Sequence, residues 1–410
     1  MHVFMVTTSF PRHEGDHAGH FIAALAERLV GLGLDVTVLA PHEASLPRHE
    51  TIRGVAVRRF RSLPDRFERV AYGDGIVENV RRKPLAVLGL VPFALAIRHS
   101  TKRLSRDCDL IHVHWGPTAA LAAPWRTTKP YVLTLHGSDV TLARRGHAWR
   151  AMLRWALNRA AGVAVVAEEQ RKFLLERGLW SPHRPLVVIP AGVPEDLLTR
   201  SRGPRAGARF RFLFVGRLVE TKGVLDLLSA FALIRSRGVD AELDLVGAGP
   251  LENAVREHTR ASDEHDHIRL HGALPHDKAL EAIAAADALV LPSYGEGSPL
   301  VVAEALSLGT PVIGTSVGAL PDLIGADGLL VEPGDVDSLA TCMERLATSE
   351  DLWKRLADKG RATSAARLGW STIAESTVDF YRTAMSSEYV GPGEVIYAWV
   401  SALTGPSSSR

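Results

Sequence analysis

The chain reads as an α/β protein built from two doubly wound parallel-sheet domains that face a cleft. Three observations predict this. Short apolar runs alternate with helical segments from end to end, the pattern of strands covered by helices on both faces. The alternation is interrupted once, by Pro190-Ala191-Gly192-Val193-Pro194 and then Arg200-Ser201-Arg202-Gly203-Pro204-Arg205-Ala206-Gly207, and restarts beyond it; such Pro-, Gly- and Arg-rich sequence without periodicity marks a linker. At 410 residues the chain is long enough for two cores. The reading divides it into a domain over 1–192, a linker at 193–209, a domain over 210–370, a helix at 371–390 and a tail at 391–410.

In the first half, strands are expected at 2–7, 35–39, 55–60, 110–114, 131–135, 163–166 and 187–189. Between the first two lies an amphipathic helix at 19–31, with Phe21, Ile22, Leu25, Leu29 and Leu32 on its apolar side and Gly33 ending it. In the second half, strands are expected at 211–215, 242–246, 268–270, 288–291, 312–313 and 328–331, with a helix over 224–234. The final stretch lacks strand signals and reads as helices at 352–356, 365–368 and 373–385.

Composition narrows the function classes. Hydrophobic content of 46%, charged content of 23% and a net charge of +2 are those of an ordinary globular protein and do not call for nucleic acid. Two cysteines, Cys108 and Cys342, suggest neither a disulfide framework nor a Cys-based zinc site, and a reducing cytoplasm fits. The start of the chain has no basic n-region. The apolar run 85–97 is too short to span a bilayer and contains Pro92. With Arg81, Arg82 and Lys83 before it, and Arg53, Arg58, Arg59, Arg61, Arg66 and Arg69 upstream, it reads first as a buried helix beside a solvated loop. The second reading is a peripheral contact at the inner face of a membrane.

The chemistry-bearing residues collect where strands end. Gly216-Arg217-Leu218-Val219-Glu220-Thr221-Lys222-Gly223 follows one strand and opens a helix. Arg217 offers a forked pair of donors and Lys222 a point charge, which suits a diphosphate. Pro292-Ser293-Tyr294-Gly295-Glu296-Gly297-Ser298-Pro299-Leu300 follows another strand, and Glu296 and Glu304 can face one crevice there. Ionised carboxylates accept hydrogen bonds from sugar hydroxyls without offering a competing donor. Gly247-Ala248-Gly249-Pro250 follows a third strand but has Glu252 at the third glycine position of a dinucleotide fingerprint, which disfavours a nicotinamide or flavin enzyme. In the first half, Leu135-His136-Gly137-Ser138-Asp139 ends a strand and puts His136 at the carboxyl edge of the sheet. His112 and His114 share one strand face, a metal pair with no third ligand at useful spacing; the preferred reading is one structural and one cleft-lining histidine. Asp107-Cys108-Asp109 and Asp335-Val336-Asp337 do not lie where a ligand belongs, and Asp335 reads as a helix cap. No metal is assigned.

Gly216-Arg217-x4-Lys222-Gly223, Gly247-x-Gly249-Pro250 and Glu296-x7-Glu304, in that order, resemble the family 4 glycosyltransferases. The likeness extends from Ser9-Phe10-Pro11 with Gly15 and Gly19, through His136-Gly137, to Gly309-Thr310-Pro311 and Gly318. It implies the GT-B fold of two Rossmann-like domains, with a final helix crossing back to the first, and retaining, metal-independent transfer of a hexose-type sugar from a UDP-sugar or GDP-sugar. The acceptor would be a glycan or lipid-linked hydroxyl. Arg217 and Lys222 would hold the pyrophosphate, with Gly19, Gly216 and Gly249 allowing close approach. Glu304 would bind the ribose. Glu296, with the amides of Gly297, Ser298, Pro299 and Leu300 as far as they exist, would hold the sugar, with His136 contacting it from across the cleft. The turn at 272–275, with Leu274, would frame the nucleobase. Where many members carry a Gly-Gly pair this chain has Ala18-Gly19. The alternatives are a nucleotide-sugar epimerase on the same fold and a non-catalytic nucleotide-sugar-binding protein.

Overall fold

The computed structural model describes all residues except 14–15, 17, 45, 65–70, 73–75, 77–86, 123–128, 201–208, 262–263 and 387–410. Gly15, the basic residues Arg66, Arg69, Arg81, Arg82 and Lys83, much of the expected linker and the C-terminal tail therefore lie outside the described residues. Two compact units are present, one of 1–166, 170–189 and 374 onward, the other of 167–169 and 190–373.

The first unit holds an eight-stranded sheet. Its strands are β1 (His2–Val6), β2 (Asp35–Pro41), β3 (His49–Ile52), β4 (Val55–Phe60), β5 (Leu110–His114), β6 (Tyr131–Leu135), β7 (Gly162–Val165) and β8 (Leu186–Val188), in the order β3-β4-β2-β1-β5-β6-β7-β8. All pairs are parallel except β3 with β4. Val3, Phe4, Met5 and Val6 are fully buried, as a central parallel strand covered on both faces requires. The strand β3 has no counterpart in the sequence reading. Its His49-Glu50-Thr51-Ile52 is polar and half exposed, an edge strand without an apolar period.

The helix Val87–Leu104 has Phe93 and Ile97 in the core, while Val91 and Leu95 are exposed. The basic patch expected upstream is in part internal. Arg59 is buried and donates to Glu50 Oε1 at 2.7 Å, to the Pro11 carbonyl at 2.7 Å and to the Tyr72 hydroxyl at 3.3 Å. Arg53 pairs with Glu27 at 3.1 Å. No helix among the described residues is long and apolar enough to cross a membrane.

The helix Trp370–Ser386 belongs to the first unit from Ala374 onward. There Tyr381 is fully buried and its hydroxyl lies 2.6 Å from His112 Nδ1 on β5. Phe380 occupies the space that a side chain at Gly162 on β7 would need, since a Cβ there would come within 2.7 Å of the ring.

The second unit is a six-stranded parallel sheet of β9 (Phe210–Val215), β10 (Ala241–Val246), β11 (Ile268–Gly272), β12 (Ala288–Leu291), β13 (Val312–Thr315) and β14 (Leu329–Val331), in the order β11-β10-β9-β12-β13-β14. Strand order reverses between β9 and β12, the topological switch point at which doubly wound sheets bind ligands. The expected linker contributes to this unit. Val193 is fully buried and bridges to Gly369, and Leu197 is buried on the short helix Glu195–Thr199. The separate helices expected at 352–356 and 365–368 are one continuous helix, Glu350–Arg367. Asp335 caps the helix Val336–Thr348 by accepting from the Ser338 amide at 3.0 Å.

Gly162→Val tests the seat of the last helix. Overpacking against the Phe380 ring should destabilise the first unit by about 1–3 kcal/mol, read as a lowered melting temperature with unchanged oligomeric state. An unchanged melt would mean that Phe380 does not pack there.

Candidate functional site

In the second unit the loops that leave β9 and β12 lie side by side because those strands are neighbours. The Tyr294 amide donates to the Thr221 carbonyl at 2.9 Å, tying one loop to the other. Lys222 Nζ lies 2.6 Å from Glu296 Oε1, and the Ser293 hydroxyl donates to the same oxygen at 2.6 Å. The Glu296 side chain is only 5% exposed, so these two donors compensate a nearly buried carboxylate. Its Oε2 has no partner among the described residues. Arg217 is exposed, and its side chain has no ion pair or hydrogen bond among the described residues.

The segment 293–299 carries Gly297, Ser298 and Pro299, and Pro299 stands just before the helix Leu300–Ser307 as its cap position. The amides of Leu300 and Val301 at its start have no partner within it, whereas that of Val302 donates to the Pro299 carbonyl at 3.0 Å. Glu304 is buried on the helix, and its Oε1 meets His276 Nε2 at 2.7 Å. The sequence reading drew both glutamates toward one crevice but gave neither its partner. His276 raises its pKa chiefly through that hydrogen bond, against the lowering effect of burial. It opens the helix His276–Ala285 directly after the turn 272–275, in which Leu274 turns its side chain onto the core. Gly216 directly follows β9, and its amide donates to the Val246 carbonyl at 3.0 Å.

Two glycines singled out for ligand approach are required by the chain's own backbone. Gly19 has φ of 66°, and a Cβ there would lie 2.2 Å from the Ser9 carbonyl oxygen. A Cβ at Gly249 would lie 2.4 Å from the Leu218 carbonyl oxygen. A groove of about 440 Å³ lined by Thr221, Val224, Asp226, Leu251 and Tyr294, among others, takes in neither Arg217, Lys222 nor Glu296.

In the first unit, the loops after β5 and β6 are held by Asp139. Its buried carboxylate accepts from the amides of Gly116 and His136 at 3.2 Å and of Gly137 and Val140 at 3.0 Å. Burial raises its pKa while the four amides act against the rise. His136 packs on Phe21 with ring centroids 5.0 Å apart. His114 Nδ1 lies 3.2 Å from His136 Nε2, and the His112 ring lies 4.1 Å from that of His114. His112 is closed on both nitrogens, by Tyr381 and by Thr134 Oγ1 at 2.7 Å. The structure thus gives His112 and His114 a third histidine as neighbour, which spacing along the chain did not reveal. Among the described residues no group of three His, Cys, Asp or Glu could hold a metal ion. Burial lowers the pKa of His112 to about 3 and of His136 to about 4, and that of His114 well below its usual value.

Those lowered values fix a pH dependence. Unfolded histidines take up protons near pH 6.5, whereas folded His112 and His136 resist protonation until about pH 3 and 4. The stability they contribute is complete above pH 6.5 and is lost as pH falls through that window toward 4. Chemical-denaturation curves from pH 7.5 to 4.5 should show falling stability, with a shallower slope for His112→Gln. An equal slope would mean that His112 is not buried neutral.

The family model described as Glycosyltransferase Family 4 matches residues 18–197, and that described as glycosyl transferases group 1 matches 209–349. The chain is 31% identical to the MMP alpha-(1->4)-mannosyltransferase of Mycolicibacterium hassiacum over 401 residues, covering 90% of this chain and 95% of that one. It is 29% identical over 415 residues to a Bacillus subtilis glycosyltransferase assigned to teichuronic acid biosynthesis, covering 93% and 98%. Among solved structures it resembles sucrose-phosphate synthase from Thermosynechococcus elongatus, with a TM-score of 0.75, 22% identity and coverage of 94% and 100%. An Anabaena protein in complex with UDP and glucose matches with a TM-score of 0.69, 17% identity and coverage of 93% and 100%. These similarities show the fold, which is GT-B.

Proposed function

The chain belongs to the group 1, family 4 type of glycosyltransferase, and from that premise we propose that it moves a hexose-type sugar from a nucleoside diphosphate sugar to a glycan or lipid-linked hydroxyl, with retention and without a metal. The observation that carries this is the pair of loops at the β9/β12 switch point. One presents Arg217 and Lys222 and the other presents Glu296, held through Oε1 with Oε2 free. A likeness to a structure that holds UDP and glucose supports a donor of this kind.

In this reading the diphosphate lies against Arg217 and Lys222. Breaking the sugar–phosphate bond moves negative charge onto the departing diphosphate. Cations and helix amides already in place stabilise that charge without rearranging. Glu296 Oε2 accepts from hydroxyls of the sugar, and Glu304, steadied by His276, accepts from the ribose. His136 contacts the sugar, and the Gly272–Pro275 turn, largely through its backbone at Leu274, frames the base. The acceptor oxygen attacks the anomeric carbon from the face the diphosphate leaves, and its proton passes to a phosphate oxygen. The configuration is retained without a covalent sugar–protein bond.

Arg217→Ala is the clean test, because its side chain supports nothing else among the described residues. It should lower kcat by on the order of 10²–10³-fold with the melting temperature unchanged, and near-normal turnover would sink the diphosphate assignment. Lys222→Ala should lose turnover and stability together, since it leaves Glu296 nearly buried with Ser293 alone. Adding Glu296→Gln to Lys222→Ala should restore the melt without restoring activity.

A thermal-shift series with UDP, GDP and ADP, with and without EDTA, identifies the donor base. One diphosphate at 100 times its dissociation constant should add about 2.7 kcal/mol of apparent stability. A shift abolished by EDTA would overturn the metal-free reading.

A further inference from the structure

The histidine cluster of the first unit contains a contact that the proposed reaction leaves unused. His114 and His136 have ring centroids 5.4 Å apart, planes within 18° of each other, and Nδ1 to Nε2 at 3.2 Å. Rings so nearly parallel, with nitrogens so much closer than centroids, lie edge to edge rather than face to face. Each nitrogen's bond or lone pair therefore points along the contact, as an N–H···N hydrogen bond needs.

A neutral imidazole has one N–H and one lone pair, and burial keeps both rings neutral at pH 7. One ring must donate and the other accept. His114 decides which. Its Nε2 is buried with no hydrogen-bond partner among the described residues. A proton there would leave an orphaned buried N–H, the rarer and less tolerated kind of unpaired group. A proton on Nδ1 leaves only a bare lone pair at Nε2 and makes Nδ1 the donor to His136 Nε2. The neighbours hold His114 in this pose. His112 lies against its ring and is itself fixed by Tyr381 and Thr134, and the peptide after His114 is turned by Trp115, whose φ is 77°.

We propose that His114 is a positioning residue that locks His136 into the tautomer protonated on Nδ1, so that His136 meets its substrate as a hydrogen-bond donor. The role in the reaction rests on His136 contacting the donor sugar. His136 Nδ1 has no protein partner among the described residues, and His136 as a whole is only partly buried. The free nitrogen therefore presents an N–H to an oxygen acceptor of the substrate. Serving as a base from the same atom would require the proton to move first, which His114 opposes.

The test uses the full chain with ¹⁵N-labelled histidine, and the His136 signals are assigned by their loss in His136→Gln. Long-range ¹H–¹⁵N spectra at pH 7 should show His136 protonated on Nδ1. In His114→Phe, which keeps a ring but has no donor, the proton should move to Nε2, the form free imidazole side chains favour. In His114→Asn, whose amide nitrogen can stand near the place of Nδ1 and donate, the wild-type tautomer should return.

Turnover is followed with UDP-glucose and GDP-mannose, using whichever the chain consumes. His114→Phe should lower kcat/KM about tenfold, the worth of one hydrogen bond, and His114→Asn should recover most of the loss. Wild-type His136 protonated on Nε2, or a tautomer unmoved in His114→Phe, would overturn the proposal. If His136→Gln loses turnover while His114→Phe does not, the positioning role falls and the sugar contact stands. If the tautomer moves as expected but neither variant affects turnover, the sugar contact itself is wrong, and the role of His114 in the reaction falls with it.

Discussion

Lys222 meets Glu296 because the strands that deliver them are neighbours in the sheet although they are distant in sequence. In the second unit, β10 and β11 extend the sheet to one side of β9, and β12, β13 and β14 extend it to the other. Connections diverge at that seam, so the loops after β9 and β12 have no helix packed between them at their carboxyl ends. What fills the seam is polar: a cation, a nearly buried carboxylate and the Ser293 hydroxyl. A carboxylate so little exposed is tolerated only with close donors, and the two donors come from both loops. The ion pair therefore acts as the clasp that gives the site its shape.

The first unit solves the same problem with different chemistry. The order of its sheet reverses between β1 and β5, and one strand further along, the loops beyond β5 and β6 are gathered by Asp139, which takes four backbone amides. No cation faces that carboxylate in these contacts. Backbone N–H groups, which would otherwise be left unpaired in a buried turn, supply the compensation. The histidines next to it are kept neutral by burial, so the paired loops of the second unit are held by formal charges and those of the first by neutral hydrogen-bonding groups around a single acid.

The strands were legible because central parallel strands are short, largely apolar runs, as at 110–114, 131–135 and 288–291, the last wholly apolar and closed by Pro292. The edge strand β3 was not, because a half-exposed antiparallel edge needs no apolar pattern. Candidate site residues at fixed spacing after a strand, such as Arg217, Lys222, Glu296 and Glu304, stood out in the sequence. Their partners did not. His276 reaches Glu304 over 28 residues and Tyr381 reaches His112 over 269, and no local periodicity encodes a contact of that range. The glycines carry a second constraint that spacing alone does not separate from the first. Gly19 and Gly249 are each demanded by a carbonyl of their own chain, so glycine at those positions answers to the turn whether or not a ligand also approaches there.

Charge bookkeeping at the β9/β12 seam separates the two cations that spacing alone treats as equivalent. The Lys222 ammonium has three donors, one of which points to Glu296, and its charge is largely balanced by that carboxylate 2.6 Å away. An arriving diphosphate would find it well placed but locally neutralised. Arg217 has no such partner among the described residues and lies exposed, so its charge reaches outward, weakened by solvent. Attraction of an anion to the site would then depend mainly on Arg217, and alignment mainly on Lys222. As the diphosphate gains charge during bond cleavage, the pull on Lys222 would increase at the expense of its bond to Glu296. In the proposed transfer this would leave Glu296 more of its capacity for the sugar as positive charge develops there, so that one short ion pair in the resting site would serve both ends of the breaking bond.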